Sequence, residues 1–328
     1  MYFEMGWIVD RCYSTNFEIQ RILPLYDRWF MYFLIIKILL TLGGGVVAIM
    51  MGRDLYKHWS HLPEKINPAV NFGMGFIADF CDALGVGSYA VTIALNRIGK
   101  QIPDQLLPGT LAVGVGALPT VIESYVSMTI IPIEPLTLFL TSIAAAIGGW
   151  IGAKVISGFS EDKVRLVLGG ILIAVGIMQL YKMLTHPEAV LEGTIGVTGI
   201  FLIIGCIGEF IIGMLQAWGL GFFAPTLALF LLLGMNTKSI YPIMMSGAAA
   251  GIALSSVEFI NTGQYAKKAS LFLAIGGILG CVTALFIVKS MDLKLMNWIV
   301  SFILLYVGSE MFIKGWRTIQ KGHKKNVL

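Results

Sequence analysis

Of the chain's 328 residues, 57% are hydrophobic and only 13% are charged, whereas roughly a quarter of an average soluble domain is charged. Too little polar surface is available for a water-soluble fold, which makes the bilayer the chain's main solvent. The net charge of +4 comes partly from a basic segment holding Lys314, Arg317, Lys321, Lys324 and Lys325. Directly after a hydrophobic helix, such a cluster marks the cytoplasmic side and meets anionic lipid headgroups, which sets it apart from a nucleic-acid arm.

The first 28 residues contain Glu4, Asp10, Arg11, Glu18, Arg21, Asp27 and Arg28 with no long apolar run, so no cleavable signal peptide is expected and the first helix serves as the membrane signal. Apolar runs then predict spans at 30–51, 107–130, 135–157, 164–184, 240–258, 267–289 and 294–313, each close to the roughly 20 residues that cross a hydrocarbon layer. Two longer stretches, 67–98 and 194–235, are broken near their middles by glycine and polar residues, the pattern of discontinuous helices that line a site. Cys81, Cys206 and Cys281 lie inside apolar segments and read as buried free thiols, with no spacing that suggests zinc. Trp7, Trp29, Trp298 and Trp316 read as interfacial anchors.

The two broken stretches are related. GFIADFCDALGVGSYAVTIALN (75–96) aligns without gaps on EFIIGMLQAWGLGFFAPTLALF (209–230) with nine of 22 positions identical. Further on, ILIAVGIMQLYK (171–182) aligns with ILLYVGSEMFIK (303–314), and between the two matches GGWIG (148–152) shares its glycine spacing with GGILG (276–280). The chain therefore divides into an N-terminal segment with one helix (1–66), a first repeat (67–190), a second repeat (191–314) and a basic cytoplasmic tail (315–328). Each repeat is a broken hairpin followed by three spans.

Basic residues arbitrate orientation. With each broken stretch read as a hairpin, 15 lysines and arginines fall inside and seven outside (Arg11, Arg21, Arg28, Lys182, Lys238, Lys289, Lys294). With each read as one crossing, the count is 11 against 11. The hairpin reading makes the repeats oppositely oriented copies. The fold class expected is thus an all-α polytopic membrane protein of two inverted repeats, each a re-entrant hairpin plus three spans, after one extra helix. Residues 86–98 make only ~20 Å of helix, too short to cross alone.

Asp79 and Asp82 stand three apart, so both carboxylates share one helix face just before the Gly85-Val86-Gly87-Ser88 break. An ionised carboxylate at the bilayer centre costs at least ~2.5 kcal/mol, so such residues face a cavity, pair, or take up a proton. Their counterparts in the second repeat are Gly213 and Gln216, and Glu209 is the candidate replacement acid. Asp79, Asp82 and Glu209 are therefore the expected coupling groups. The half-helices after Gly85, Gly87, Gly219 and Gly221 present free N–H groups to an anion, with Ser88, Thr92, Gln216 and Thr226 as side-chain donors. Asn71 could line the cavity. Glu123 and Glu258, near helix ends, read either as solvated or hydrogen-bonded helix-end residues or as transport groups, and are left out of the site.

The paired hairpins, GFIADFCDALGVGSYAVTIAL and GFFAPTLALFLLLGMN (221–236), resemble the TauE/SafE family of sulfite exporters over about Asn67 to Lys314. The resemblance implies a duplicated inner-membrane permease for sulfite, organosulfonates or a related small anion. Where that family carries a run of glycines after the first GxG, this chain reads GVGSYA and GLGFFAPT, so the site's position carries over while the anion stays open. The expected activity is secondary transport of a small anion, coupled to protons through the aspartates, in a multi-pass cell-membrane protein with no cofactor or metal, no nucleic-acid partner and no enzymatic step. Two alternatives stand beside it. One is a cation (H⁺ or Na⁺) carrier or channel using Asp79 and Asp82. The other is a Mg²⁺-dependent membrane transferase, for which a second acidic cluster is missing from the corresponding repeat.

Overall fold

A computed structural model describes residues 16–58, 66–84, 87–155, 161–185, 193–217 and 221–325. Their order is α1 (Asn16–His58), α2 (Pro68–Ala83), α3 (Ser88–Gly99), α4 (Asp104–Ile130), α5 (Pro135–Val155), α6 (Glu161–Thr185), α7 (Ile200–Ala217), α8 (Phe223–Leu232), α9 (Thr237–Thr262), α10 (Lys267–Ser290) and α11 (Leu293–Lys325). Seven of them, α1, α4, α5, α6, α9, α10 and α11, are long and apolar enough to cross a bilayer, so the chain is an all-α polytopic membrane protein. Two ends differ from expectation: α1 begins well before residue 30, and the basic segment after Lys314 continues α11 as helix to Lys325. Trp298 and Trp316 lie eighteen residues apart on α11, each stacked on a phenylalanine, a separation of roughly 27 Å that matches two headgroup levels. Trp7 and the side chain of Trp29 lie outside the described residues.

Both broken stretches are helical hairpins whose ends return to their starts. Pro68 opens α2 in the first turn, where a missing N–H costs nothing, and the Asn67 side chain caps it by accepting from Ala69 and Val70. Beyond the end of α3, Gln101 Oε1 accepts from the Asn67 N–H at 2.7 Å and from Asn71 Nδ2 at 3.3 Å, which closes the hairpin at its mouth. The second closes similarly: the Asn236 N–H donates to the Thr194 carbonyl at 2.9 Å, and the Thr194 N–H donates to Gly234. Within it, Gly205 of α7 lies against Phe230 of α8 and Gly208 against Leu229.

Close helix pairs join the two halves. On α10, Gly276 abuts the Phe72 backbone and Gly280 the Phe76 backbone, so α2 and α10 run in the same direction. On α5, Gly148 abuts Phe210 and Gly152 abuts Met214, so α7 and α5 do likewise. A Cβ at Gly148 or Gly280 would collide with a main-chain carbonyl, which is how small residues bring membrane helices together. Two further pairs are antiparallel: Gly169 meets Phe312 while Gln179 reaches Asn297 at 3.1 Å, aligning α6 against α11. Ser256 donates to the Ala112 carbonyl at 3.0 Å and Ser239 to Pro132 at 2.6 Å, aligning α9 against α4.

These contacts correct one detail of the repeat. Matching GGWIG to GGILG pairs Gly148 with Gly276, but in space Gly148 meets Phe210 as Gly280 meets Phe76, and Phe210 and Phe76 are equivalent in the hairpin match. The third elements therefore correspond one helical turn away from the glycine-on-glycine alignment, with Ala145 equivalent to Gly277. The displaced register agrees with the spacing of the downstream 171–182 and 303–314 match. Shared glycine spacing misled because both helices carry small residues every four positions.

The extra helix α1 presents Leu39, Leu42 and Ile49 outward and packs Gly44 against Val121 of α4. One polar tie holds its end. Asp54 accepts from the hydroxyl of Tyr265, in the α9–α10 connection, at 2.6 Å and from Nζ of Lys267, the first residue of α10, at 2.5 Å, and pairs with His58. Asp54→Ala removes the acceptor these groups share and is expected to lower stability by about 1–3 kcal/mol, read as a fall in the thermal midpoint of the detergent-solubilised protein. An unchanged midpoint would show the tie to be energetically idle.

Candidate functional site

The inner face of α2 carries Asn71, Met74, Gly75, Ala78, Asp79 and Asp82, a stripe at helical spacing that places both aspartates inside the bundle. Asp79 is fully buried. Its carboxyl occupies space left by Gly277 on α10, where a Cβ would collide with Asp79 Oδ2 and stand 2.9 Å from Pro119 on α4. Both Asp79 oxygens lack hydrogen-bond partners.

Asp82 bridges the break. Its Oδ1 accepts from the Ser88 N–H at 2.6 Å, so the carboxylate caps the exposed N-terminus of α3. Oδ2 stays unpaired. Gly87 reaches Ser88 through φ +90°, a backbone conformation that favours glycine. Asp82, a resident carboxylate, thus occupies part of the N-terminus that was expected to receive a solute anion. The buried hydroxyl of Thr92 donates to the Ser88 carbonyl at 2.8 Å within its own helix.

Glu123 joins the aspartates. Sequence reasoning set it aside as a helix-end residue, but it is completely buried, both oxygens lack partners, and it lies within electrostatic reach of Asp79 and Asp82. Glu258 is exposed. The difference originates in α4, where residues Leu111–Ala117 form a wide π-helical stretch before Pro119, an irregularity frequent at functional positions. The stretch is fully buried, and Gly116 in it admits the Tyr89 hydroxyl. Pro119 was the available signal, since a proline inside an apolar span disturbs the ladder one turn before it.

Three buried carboxyl groups with five unpaired oxygens therefore meet where α2, α4 and α10 converge. Tyr89, Tyr241 and Cys281 complete their surroundings. Among the described residues, none of the cluster's named partners comes from α7 or α8. Ionised carboxylates without partners cost several kcal/mol in such an interior. Among the described residues, no three His, Cys, Asp and Glu side chains are arranged to hold a metal ion.

The second hairpin differs. Gln216, the counterpart of Asp82, donates to the Ala248 carbonyl at 3.5 Å. Gly221 is exposed, with open space where a Cβ would stand. Glu209 and Thr226 are fully buried, and the Thr226 hydroxyl faces the Glu209 carboxyl. Gly85 and Gly219 lie outside the described residues. Of the expected site, then, Asp79, Asp82, Gly87 and Ser88 stand together, Glu209 and Thr226 form a separate pair, and Gln216 and Gly221 join neither. Comparisons with family models, with curated proteins and with solved structures find no match to this chain.

Proposed function

We propose that the protein is a proton-coupled secondary transporter in which Asp79, Asp82 and Glu123 bind and release the coupling protons. The observation that carries this reading is the set of five unpaired carboxyl oxygens buried among membrane helices with no described lysine or arginine against them. A protonated carboxyl is a hydrogen-bond donor and a carboxylate repels anions. Taking up protons would therefore turn the buried surroundings of the Ser88 N-terminus into an anion site, and losing them would expel the anion, so both would move together. The solute class we propose is a small oxyanion, sulfite or an organosulfonate, on the hairpins' resemblance to the TauE/SafE permeases.

We also propose that the two halves are inverted copies in a cell membrane with the C-terminus cytoplasmic. Support comes from the antiparallel pairing of α6 with its counterpart α11 and of α4 with α9. Single crossings by each broken stretch would instead set those counterparts the same way up. Alternating exposure of a site between inverted halves is a familiar transport geometry.

Proteoliposomes loaded with sulfite, sulfoacetate or taurine test this with and without a pH gradient. The gradient is expected to accelerate flux of at least one, and Asp79→Asn to remove that acceleration. Flux indifferent to the gradient would remove proton coupling, and no flux of any would remove the solute class. A second reading, cation transport without an anion, is favoured by the same acidic pocket, and predicts current of opposite sign under an imposed solute gradient.

A further inference from the structure

We infer that Glu209 and Thr226 form a second proton-binding site, separate from the cluster of the first hairpin. The inference rests on the same reading of buried carboxyls as proton carriers, applied to a different place. In the hairpin match Glu209 takes the position of Gly75 and Gly213 the position of Asp79. Each hairpin thus has one acid and one glycine a turn apart on its inner face, in reversed order. Gly213 lies against the Ala145 backbone much as Gly75 lies against Leu273. Glu209 is turned inward by its neighbours on α7, where Ile207 and Ile211 are exposed and Ile212 is buried.

Thr226 is the second observation. Three of the buried helical threonines, Thr92, Thr110 and Thr141, donate to the carbonyl four residues back, while Thr137 and Thr237 turn to the side chains of Glu134 and Asn297. Thr226 makes no such bond although Phe222 stands in that position, and its hydroxyl, wholly buried and unpaired, faces the Glu209 carboxyl, whose two oxygens are also unpaired. A hydroxyl free to rotate can donate to a carboxylate or accept from a carboxylic acid, so one geometry serves both protonation states. The close packing of Gly205 and Gly208 against Phe230 and Leu229 brings α7 near enough to α8 for the two side chains to meet. Glu209 draws its partner from α8 and stands on the helix that packs against α5, whereas the first cluster is built from α2, α4 and α10. The two sites therefore load independently.

Infrared difference spectra of the full chain in lipid nanodiscs, taken across a pH titration, read the C=O stretch of every protonated carboxyl. Glu209→Gln is expected to remove one band and leave the rest. Thr226→Val should shift that same band and Thr226→Ser return it, while Asp79→Asn alters only the other bands. The second site is overturned if Glu209→Gln removes no band, if Asp79→Asn moves the Glu209 band, or if sodium chloride at fixed pH abolishes it. Loss of only the Asp79, Asp82 and Glu123 bands from the unmodified protein would sink the first-hairpin reading and leave the second site standing. Gel-filtration retention of each variant checks its fold.

Discussion

Gly277→Ala is expected to uncouple transport from the pH gradient and to destabilise the protein, while Asp79→Gly combined with Gly277→Ala restores the stability alone. The added methyl would collide with the Asp79 carboxyl, and Pro119 behind it leaves little room for retreat. Overpacking a tight interior costs about 1–3 kcal/mol. The chain contains its own precedent for the repair, since Gly213 and Ala145 are the equivalents of Asp79 and Gly277 and pack closely in the second half. Residues in contact are non-additive, so the double variant should unfold near the wild-type temperature yet show no proton-driven flux. Thermal unfolding in detergent and dye-reported proton entry into proteoliposomes measure the two effects separately. A double variant as unstable as the single one would mean that the collision is not the cause.

Glu123→Gln should lower proton-driven flux, since an amide cannot bind and release the proton that a carboxyl carries. The side chain is nearly isosteric, and the stability of the fold should change little because no described hydrogen bond depends on Glu123. The comparison with Glu258→Gln is the control: that residue is exposed, and its replacement should leave flux and its gradient dependence alone. Equal, unaltered flux in both variants would place Glu123 outside the coupling machinery.

Apolar run length and the match of 75–96 to 209–230 made the membrane class, the spans and the related broken stretches legible before any coordinates, because those properties depend on neighbours along the chain. The aspartate pair was legible too, as helical spacing alone puts Asp79 and Asp82 on one face. Glu123 was not, since its burial depends on α4 being pressed between α2, α9 and α10, and the only local trace of its setting was Pro119. Thr92 and Thr226 are equivalent in sequence and opposite in behaviour: one hydroxyl closes on its own helix and the other turns to a carboxyl that only its hairpin possesses.

By itself the sequence determined that this protein lives in lipid and that two of its apolar stretches match each other and are broken near their middles, for hydropathy and spacing are written locally. Tertiary structure decided which glycine faces which backbone, that Asp82 caps the half-helix expected to await an anion, and that acids of distant elements gather in one place. Those outcomes follow from side chains on separate helices competing for the same small volume, a quantity that no stretch of chain contains alone.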